Sequence, residues 1–268
     1  IGSTGSTKDL SLINSGTGSF SSAIRFSNSA ENNVVKYCVI NSSCYSAGVG
    51  MINFTSSASG NGNDNNLVEY CNVSCAGTNR PVNALFSSGG TGRDNSGNII
   101  RNNNFFNFFN PVTACFGINI SNSSSDWTIT GNSFYETTTF VPSVANKYYV
   151  LFINTGNNNL ISDNYIGGSA PLCAGSAWTI NASIPYYFCG AYINGGTAAT
   201  FQGNTISNMN ITSVEDNPWD GVYLNDGNVN MTGNTIGAAT GTGSIVITTP
   251  AASATATMSG GAVTAINL

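Results

Sequence analysis

Twelve acidic residues, seven basic ones and no histidine leave this chain few groups for acid–base chemistry. The densest acidic group is Glu215, Asp216, Asp220 and Asp226, inside one turn and the strand after it. Two carboxylates held at roughly 5–9.5 Å would suit glycoside hydrolysis, one as acid and the other as nucleophile or base. Asp216, Asp220 and Asp226 also offer the oxygens that a Ca2+ ion takes, though not at EF-hand spacing. Proton abstraction from an acidic sugar would need an Arg or Lys base beside several calcium-binding carboxylates. The cations are Lys8, Arg25, Lys36, Arg80, Arg93, Arg101 and Lys147. Lys36 and Arg101 flank Glu69 alone, which reads as a ladder of opposite charges and not as a calcium cradle. Ser and Thr have no histidine to activate them, and a Cys/His metal centre is impossible.

Binding chemistry is better supplied. Aligned by repeat, Tyr148, Phe188 and Trp219 share one column just before successive strands, with Trp178, Tyr149, Tyr186 and Tyr187 close in sequence. Aromatic faces stack on sugar rings, and carboxylates such as Asp216 and Asp220 accept hydrogen bonds from hydroxyls. A carbohydrate-binding groove of Tyr148, Phe188, Trp219, Tyr187, Trp178, Asp216 and Asp220 is therefore expected. The competing reading is that these rings pack an insertion at 167–190 against the body of the protein.

The composition sets limits on everything else. Charged residues make up 7% of the chain, against roughly a quarter in an average soluble protein. Asparagine alone accounts for 40 positions. A formal charge of −5 with seven Lys and Arg argues against nucleic acid as a partner, because phosphate binding needs clustered cations. No apolar run approaches the roughly 20 residues of a membrane-spanning helix, so direct membrane insertion by a helix bundle is not expected.

The elements that must position these residues are repeated. VVKYCVI (34–40) is followed by LVEYCNV (67–73), IIRNNNF (99–105), TITGNSF (128–134), LISDNYI (160–166), TFQGNTI (200–206) and NMTGNTI (230–236). Their last residues are 33, 32, 29, 32, 40 and 30 positions apart. A second phrase interleaves with them, anchored on Ile24, Ile52, Leu85, Ile118, Ile153, Ile193 and Leu224. Short β-branched segments between Asn/Gly/Ser turns, recurring about every 30 residues, predict an all-β parallel solenoid of about seven to eight coils. Stacked strands lie roughly 4.8 Å apart, so seven coils make a rod of roughly 35 Å. Asn103, Asn132, Asn164, Asn204 and Asn234 form one column at an inward bend, where each amide is expected to donate to a carbonyl of the next coil. Cys38 and Cys71 hold that column in the first two coils. Asp163 occupies a turn position that Gly203 and Gly233 take later.

The phrases ITGNSF, FQGNTI and MTGNTI resemble the repeat of right-handed parallel β-helices of the pectate-lyase-like and polygalacturonase-like kind, over residues from about 21 to 248. The resemblance implies a right-handed β-helix, a scaffold that enzymes, phage tailspikes and adhesins all use. The paired Asp and histidine of the polygalacturonase-like pattern are absent. The composition also resembles secreted surface proteins of Bacteroidetes that leave by the type IX route.

Residues 1–20 are expected to lead into a β-helix spanning 21–250, with its loop insertion at 167–190. Residues 251–268 would form a C-terminal cap or the start of a following module. Seven cysteines suit an oxidising compartment, with Cys173–Cys189 and Cys44–Cys75 as disulfide candidates. Cys38 and Cys71 would be reduced core residues or a third bridge, and Cys115 a buried hydrophobe. These readings together predict a non-catalytic module of a larger secreted or cell-surface protein, an adhesin or stalk. Its partners would be a glycan or cell surface and neighbouring modules of the same polypeptide. No cofactor is expected, apart from Ca2+ at the acidic turn. The alternative is a polysaccharide lyase or glycoside hydrolase using Asp216, Asp220 and Asp226.

Overall fold

In the computed structural model the chain winds as a parallel β-solenoid of about seven turns, with no helix among the described residues. The structure describes residues 1–268 apart from 3–4, 17, 19, 76–79, 195, 215–218, 239–243, 250–256, 259–265 and 268. Each coil contributes one strand to each of three stacked sheets. Sheet 1 runs from Ile24–Phe26 through Gly50–Phe54, Asn83–Ser88, Cys115–Asn122, Asn146–Ile153, Tyr186–Asn194 and Trp219–Asp226 to Ile266–Asn267. Sheet 2 stacks the repeated phrases from Val34–Lys36 to Val229–Thr232, and sheet 3 those from Leu10–Asn14 to Thr235–Ile236.

The turns explain why asparagine is so abundant. On the way into sheet 2, Asn32, Asn65, Gly97, Asp126 and Asn158 all have φ between 56° and 65°. On the way out, Tyr37, Tyr70, Asn102, Gly131, Asp163, Gly203 and Gly233 form a second left-handed column. Asp163 and its Gly replacements are turn residues, as expected, because Asn, Asp and Gly tolerate this region best. The residue after each left-handed position points inward and satisfies the stack. Asn103 donates both its main-chain N–H and its Nδ2 to Asn132 Oδ1, each at 3.0 Å. Asn132 repeats this with Asn164, Asn164 with Asn204, and Asn204 with Asn234.

The amide donates both ways: to the side-chain carbonyl of the next coil, as expected, and also to a main-chain carbonyl of the preceding coil, as from Asn132 Nδ2 to Ile100 O at 2.8 Å. Cys71 and Cys38 do occupy the foot of this column. The Cys71 N–H donates to Asn103 Oδ1, and the Cys71 sulfur accepts the Cys38 N–H at 3.4 Å. A second ladder, Asn33–Asn66–Asn98, lines the other bend in the same way.

Between the bends, sheet 2 keeps the register that the sequence implies. Lys36, Glu69, Arg101, Thr130, Ser162, Gln202 and Thr232 are successive partners. The charge ladder is half realised: Arg101 pairs with Glu69 at 2.7 Å, and among the described residues no ion pair reaches Lys36. Sheet 1 differs from the expected alignment. Ile118 pairs with Leu151, and Ile153 with Ile120, so the anchor residues divide into two columns. A slip of two residues keeps every side chain on its own face, so hydrophobicity does not reveal it.

The insertion at 167–190 is not a plain loop. It carries the strand Trp178–Asn181, which pairs in parallel with Met209–Thr212 and through it with Ile245–Thr248. This fourth sheet widens the later coils. Thr257–Met258 runs antiparallel on Ile245–Val246, and Ile266–Asn267 pairs with Val222–Tyr223 at the end of sheet 1.

No disulfide forms among the seven cysteines. Cys75 pairs in register with Ser42, two residues short of Cys44, which separates the expected Cys44–Cys75 bridge. Cys173 packs at sheet 3 near Thr205 O, whereas Cys189 lies in sheet 1, on another face of the coil. Cys115 is fully buried, as expected of a hydrophobe. A further polar contact ties coils together: buried Glu136 accepts the N–H groups of Phe108 and Phe109 and pairs with Arg80.

The amide ladder is testable. Asn132→Ala leaves the Asn103 N–H buried without its acceptor and takes from the Ile100 carbonyl its side-chain donor, which should lower unfolding free energy by about 2 kcal/mol. Cys71→Asn, which extends the ladder by one rung, should leave stability equal or higher. Urea titrations of the two variants check both outcomes.

Candidate functional site

Register confirms the aromatic column and places it indoors. Tyr148 pairs with Phe188, and Phe188 with Trp219. Tyr148, Phe188 and Trp178 are fully buried and Trp219 is 5% exposed, so their faces meet one another and not a ligand. Phe109 sits among them, with its ring centre 5.3 Å from Tyr148, 5.2 Å from Trp178 and 5.9 Å from Phe188. Trp178 belongs to the fourth sheet and its ring meets Phe188 at 5.7 Å, so the cluster packs the insertion against sheet 1, the competing reading of these rings. Of the expected rings only Tyr187 faces outward.

The outer side of sheet 1 carries Tyr149, expected only as a neighbour of the column, together with rings outside the expected groove. Phe116 and Tyr149 lie parallel at 5.4 Å. Beside them Phe152, Tyr192 and Tyr223 form a column with centres 4.7 and 5.4 Å apart. The two columns cross at 61–81°, so the strip is tiled and not flat. All these rings are half-buried, which leaves part of each open to solvent. Their signal in the sequence is the triplet aromatic–aliphatic–Asn, as in Phe152-Ile153-Asn154, Tyr192-Ile193-Asn194 and Tyr223-Leu224-Asn225. The middle residue faces the core, so its two neighbours both face out.

A polar cleft lies at the ends of the strands that carry the strip. Asn154 and Asn194, two residues beyond Phe152 and Tyr192, line it together with Asp94, Ser123, Ser125, Thr155, Gly156, Asn157 and Gly196. Its volume is about 330 Å3, at the lower end of the roughly 300–1,000 Å3 typical of small-molecule sites. At the last coil Leu224–Val229 line a second concavity of about 370 Å3.

The acidic turn resolves differently from expectation. Asp216 lies outside the described residues, as does Glu215. Asp220 accepts the Tyr187 hydroxyl, and Asp226 Oδ1 accepts the Gly227 N–H at 2.7 Å. Six residues of extended strand hold Asp220 and Asp226 roughly 20 Å apart. They cannot share one Ca2+ ion or act as the two carboxylates of a glycosidase.

Beneath the Tyr187 hydroxyl, Cys189 sits between Tyr149 and Asp220 in the outward column. Burial pushes its thiol up to about 12. Burial also raises the Tyr187 phenol, with Cys189 and Asp220 adding to the effect, so it stays a hydrogen-bond donor to Asp220. Comparison with protein-family models, with curated proteins and with solved structures finds no match to this chain.

The raised thiols set the alkaline behaviour. Cys71 and Cys189 are both pushed up to about 12 by burial, against about 8.5 in an unfolded chain. The folded state keeps protons that the unfolded state gives up, so stability is full below about pH 8 and falls as pH rises toward 12. Melting temperature measured from neutral pH upward should be level at first and then decline. Native Cys189 should also resist iodoacetamide at mildly alkaline pH, and rapid labelling would contradict its burial.

Proposed function

We propose that this chain is a non-catalytic, glycan-binding module of a larger secreted or cell-surface protein, built like the β-helix domains of adhesins and stalks. The observation that carries this reading is the column Phe152–Tyr192–Tyr223, whose exposed edges adjoin asparagines lining a concave polar cleft. The faces of these rings are stacked on one another, so the column offers a sugar its apolar edges, bordered by amides and hydroxyls that match ring hydroxyls. The rod itself suits a spacer, since each coil rests on its neighbours through two amide ladders. Its scarcity of ionisable groups fits binding better than proton transfer. The glycan surface lies one column outward from Tyr148, Phe188 and Trp219, with Tyr187 and Asp220 at its margin.

Glycan-array binding by the wild type and two variants tests this. Tyr192→Ala should weaken the bound glycan about tenfold while the melting temperature stays near that of the wild type. Trp219→Ala, which empties a core position, should instead lower stability by about 3–5 kcal/mol. A wild-type chain that binds no glycan on the array would remove the proposal.

A further inference from the structure

Taking the outer side of sheet 1 as a glycan surface, we infer that the cleft and the Phe152–Tyr192–Tyr223 column form one groove for an uncharged polysaccharide. The bound chain runs along the rod axis, and unengaged amides of Asn194 and Asn157 hydrogen-bond to its hydroxyls.

Most well-buried asparagines in this protein are tied into structure. Asn66, Asn132, Asn164 and Asn204 each use Oδ1 and Nδ2 within the ladders. Those of the cleft, half-buried at Asn154 and Asn194 and exposed at Asn157, are less engaged. The Asn194 amide engages no described group, and Asn157 uses its Oδ1 for Thr197, leaving Nδ2 open. Asn154 reaches Ser121 O only at 3.5 Å. The hydroxyls of Ser123 and Thr155, which also line the cleft, are likewise unengaged among the described residues. Groups that donate and accept side by side match sugar hydroxyls, which do the same.

Charge selects among sugars. Among the described residues Asp94 is the one ionisable group lining the cleft, and its Oδ2 already accepts the Ser125 hydroxyl at 3.0 Å. Asp126, in the same turn region, accepts Ser96 and Asn158. Arg93 precedes Asp94 in the chain but does not line the cleft, and Lys147 lies at the opposite end of the strands, paired in register with Tyr187. A polyuronate would bring its carboxylates against Asp94 with no cation in the cleft to receive them.

Direction follows from which coils contribute. Ser123 and Ser125, then Asn154 to Asn157, then Asn194 and Gly196 come from three successive coils. Phe152, Tyr192 and Tyr223 likewise climb one coil at a time. Equivalent groups therefore recur at the strand spacing of about 4.8 Å, close to the rise of one pyranose in an extended chain.

Calorimetric titration of the purified chain with cellohexaose, mannohexaose, xylohexaose and hexagalacturonate, at low and high salt, tests the inference. At least one neutral hexaose should bind with an affinity that salt barely changes, and hexagalacturonate should bind more weakly. Asn194→Ala should cost about tenfold in affinity at unchanged melting temperature. Tighter binding of hexagalacturonate than of every neutral hexaose would overturn the inference and leave glycan binding standing. So would a neutral ligand lost in Tyr192→Ala but unaffected in Asn194→Ala. Failure of all three neutral hexaoses to bind would overturn the inference, while the glycan array decides whether the proposed function stands.

Discussion

A main chain that turns twice per coil through left-handed positions leaves inward N–H groups that water cannot reach, and the asparagine amide answers them. One Oδ1 accepts two donors from the coil below, and the same residue's Nδ2 returns a bond to a carbonyl there. Since a side-chain amide spans only one strand spacing, it works only if the neighbouring coil makes the same turn at the same height. The bend therefore enforces register, and register puts every column of core, charge and aromatic side chains in place. Energetically each coil depends on the coils beside it, the nearest-neighbour logic of a solenoid.

Much of this can be read in the sequence because stacking repeats the same physical demand. ITGNSF and its relatives reveal the bend, the inward aliphatics and the asparagine column, and the sheet 2 register follows residue by residue. The sheet 1 register does not, because Ile118, Leu151 and Ile153 are all inward-facing and a two-residue slip satisfies hydrophobicity equally well. The strand Trp178–Asn181 was hidden for a different reason: it interrupts the period, and its partner Met209–Thr212 becomes visible only once the coils are superposed. Cys44 and Cys75 follow equivalent strands and Cys173 and Cys189 flank the insertion, yet a shift of two residues at Cys44 and a change of face at Cys189 are enough to keep each pair apart.

The candidate site shows how thin the margin is between core and surface in a strand. Tyr148 and Tyr149 are neighbours in the chain, but one fills the interior beside Phe109 while the other tiles the outside beside Phe116. Composition and position in the repeat cannot tell them apart; only the inside–outside phase can. The triplet aromatic–aliphatic–asparagine carries that phase, because its central residue has a fixed direction. The outer columns use the same coil-to-coil stacking as the core, so their rings are held rigid before any ligand arrives, which reduces the ordering cost of binding.

The two bends stand five residues apart in every coil where both are occupied by ladder residues: Asn33 and Cys38, Asn66 and Cys71, Asn98 and Asn103, Trp127 and Asn132, Asn159 and Asn164. Coil length varies from 29 to 40 residues, so all of that variation falls outside this short piece. It acts as a ruler that keeps the pitch constant while the remainder of the coil is free to lengthen. Foreign peptides or whole duplicated coils could thus be spliced into the long connections, and the rod would carry new loops without losing its count.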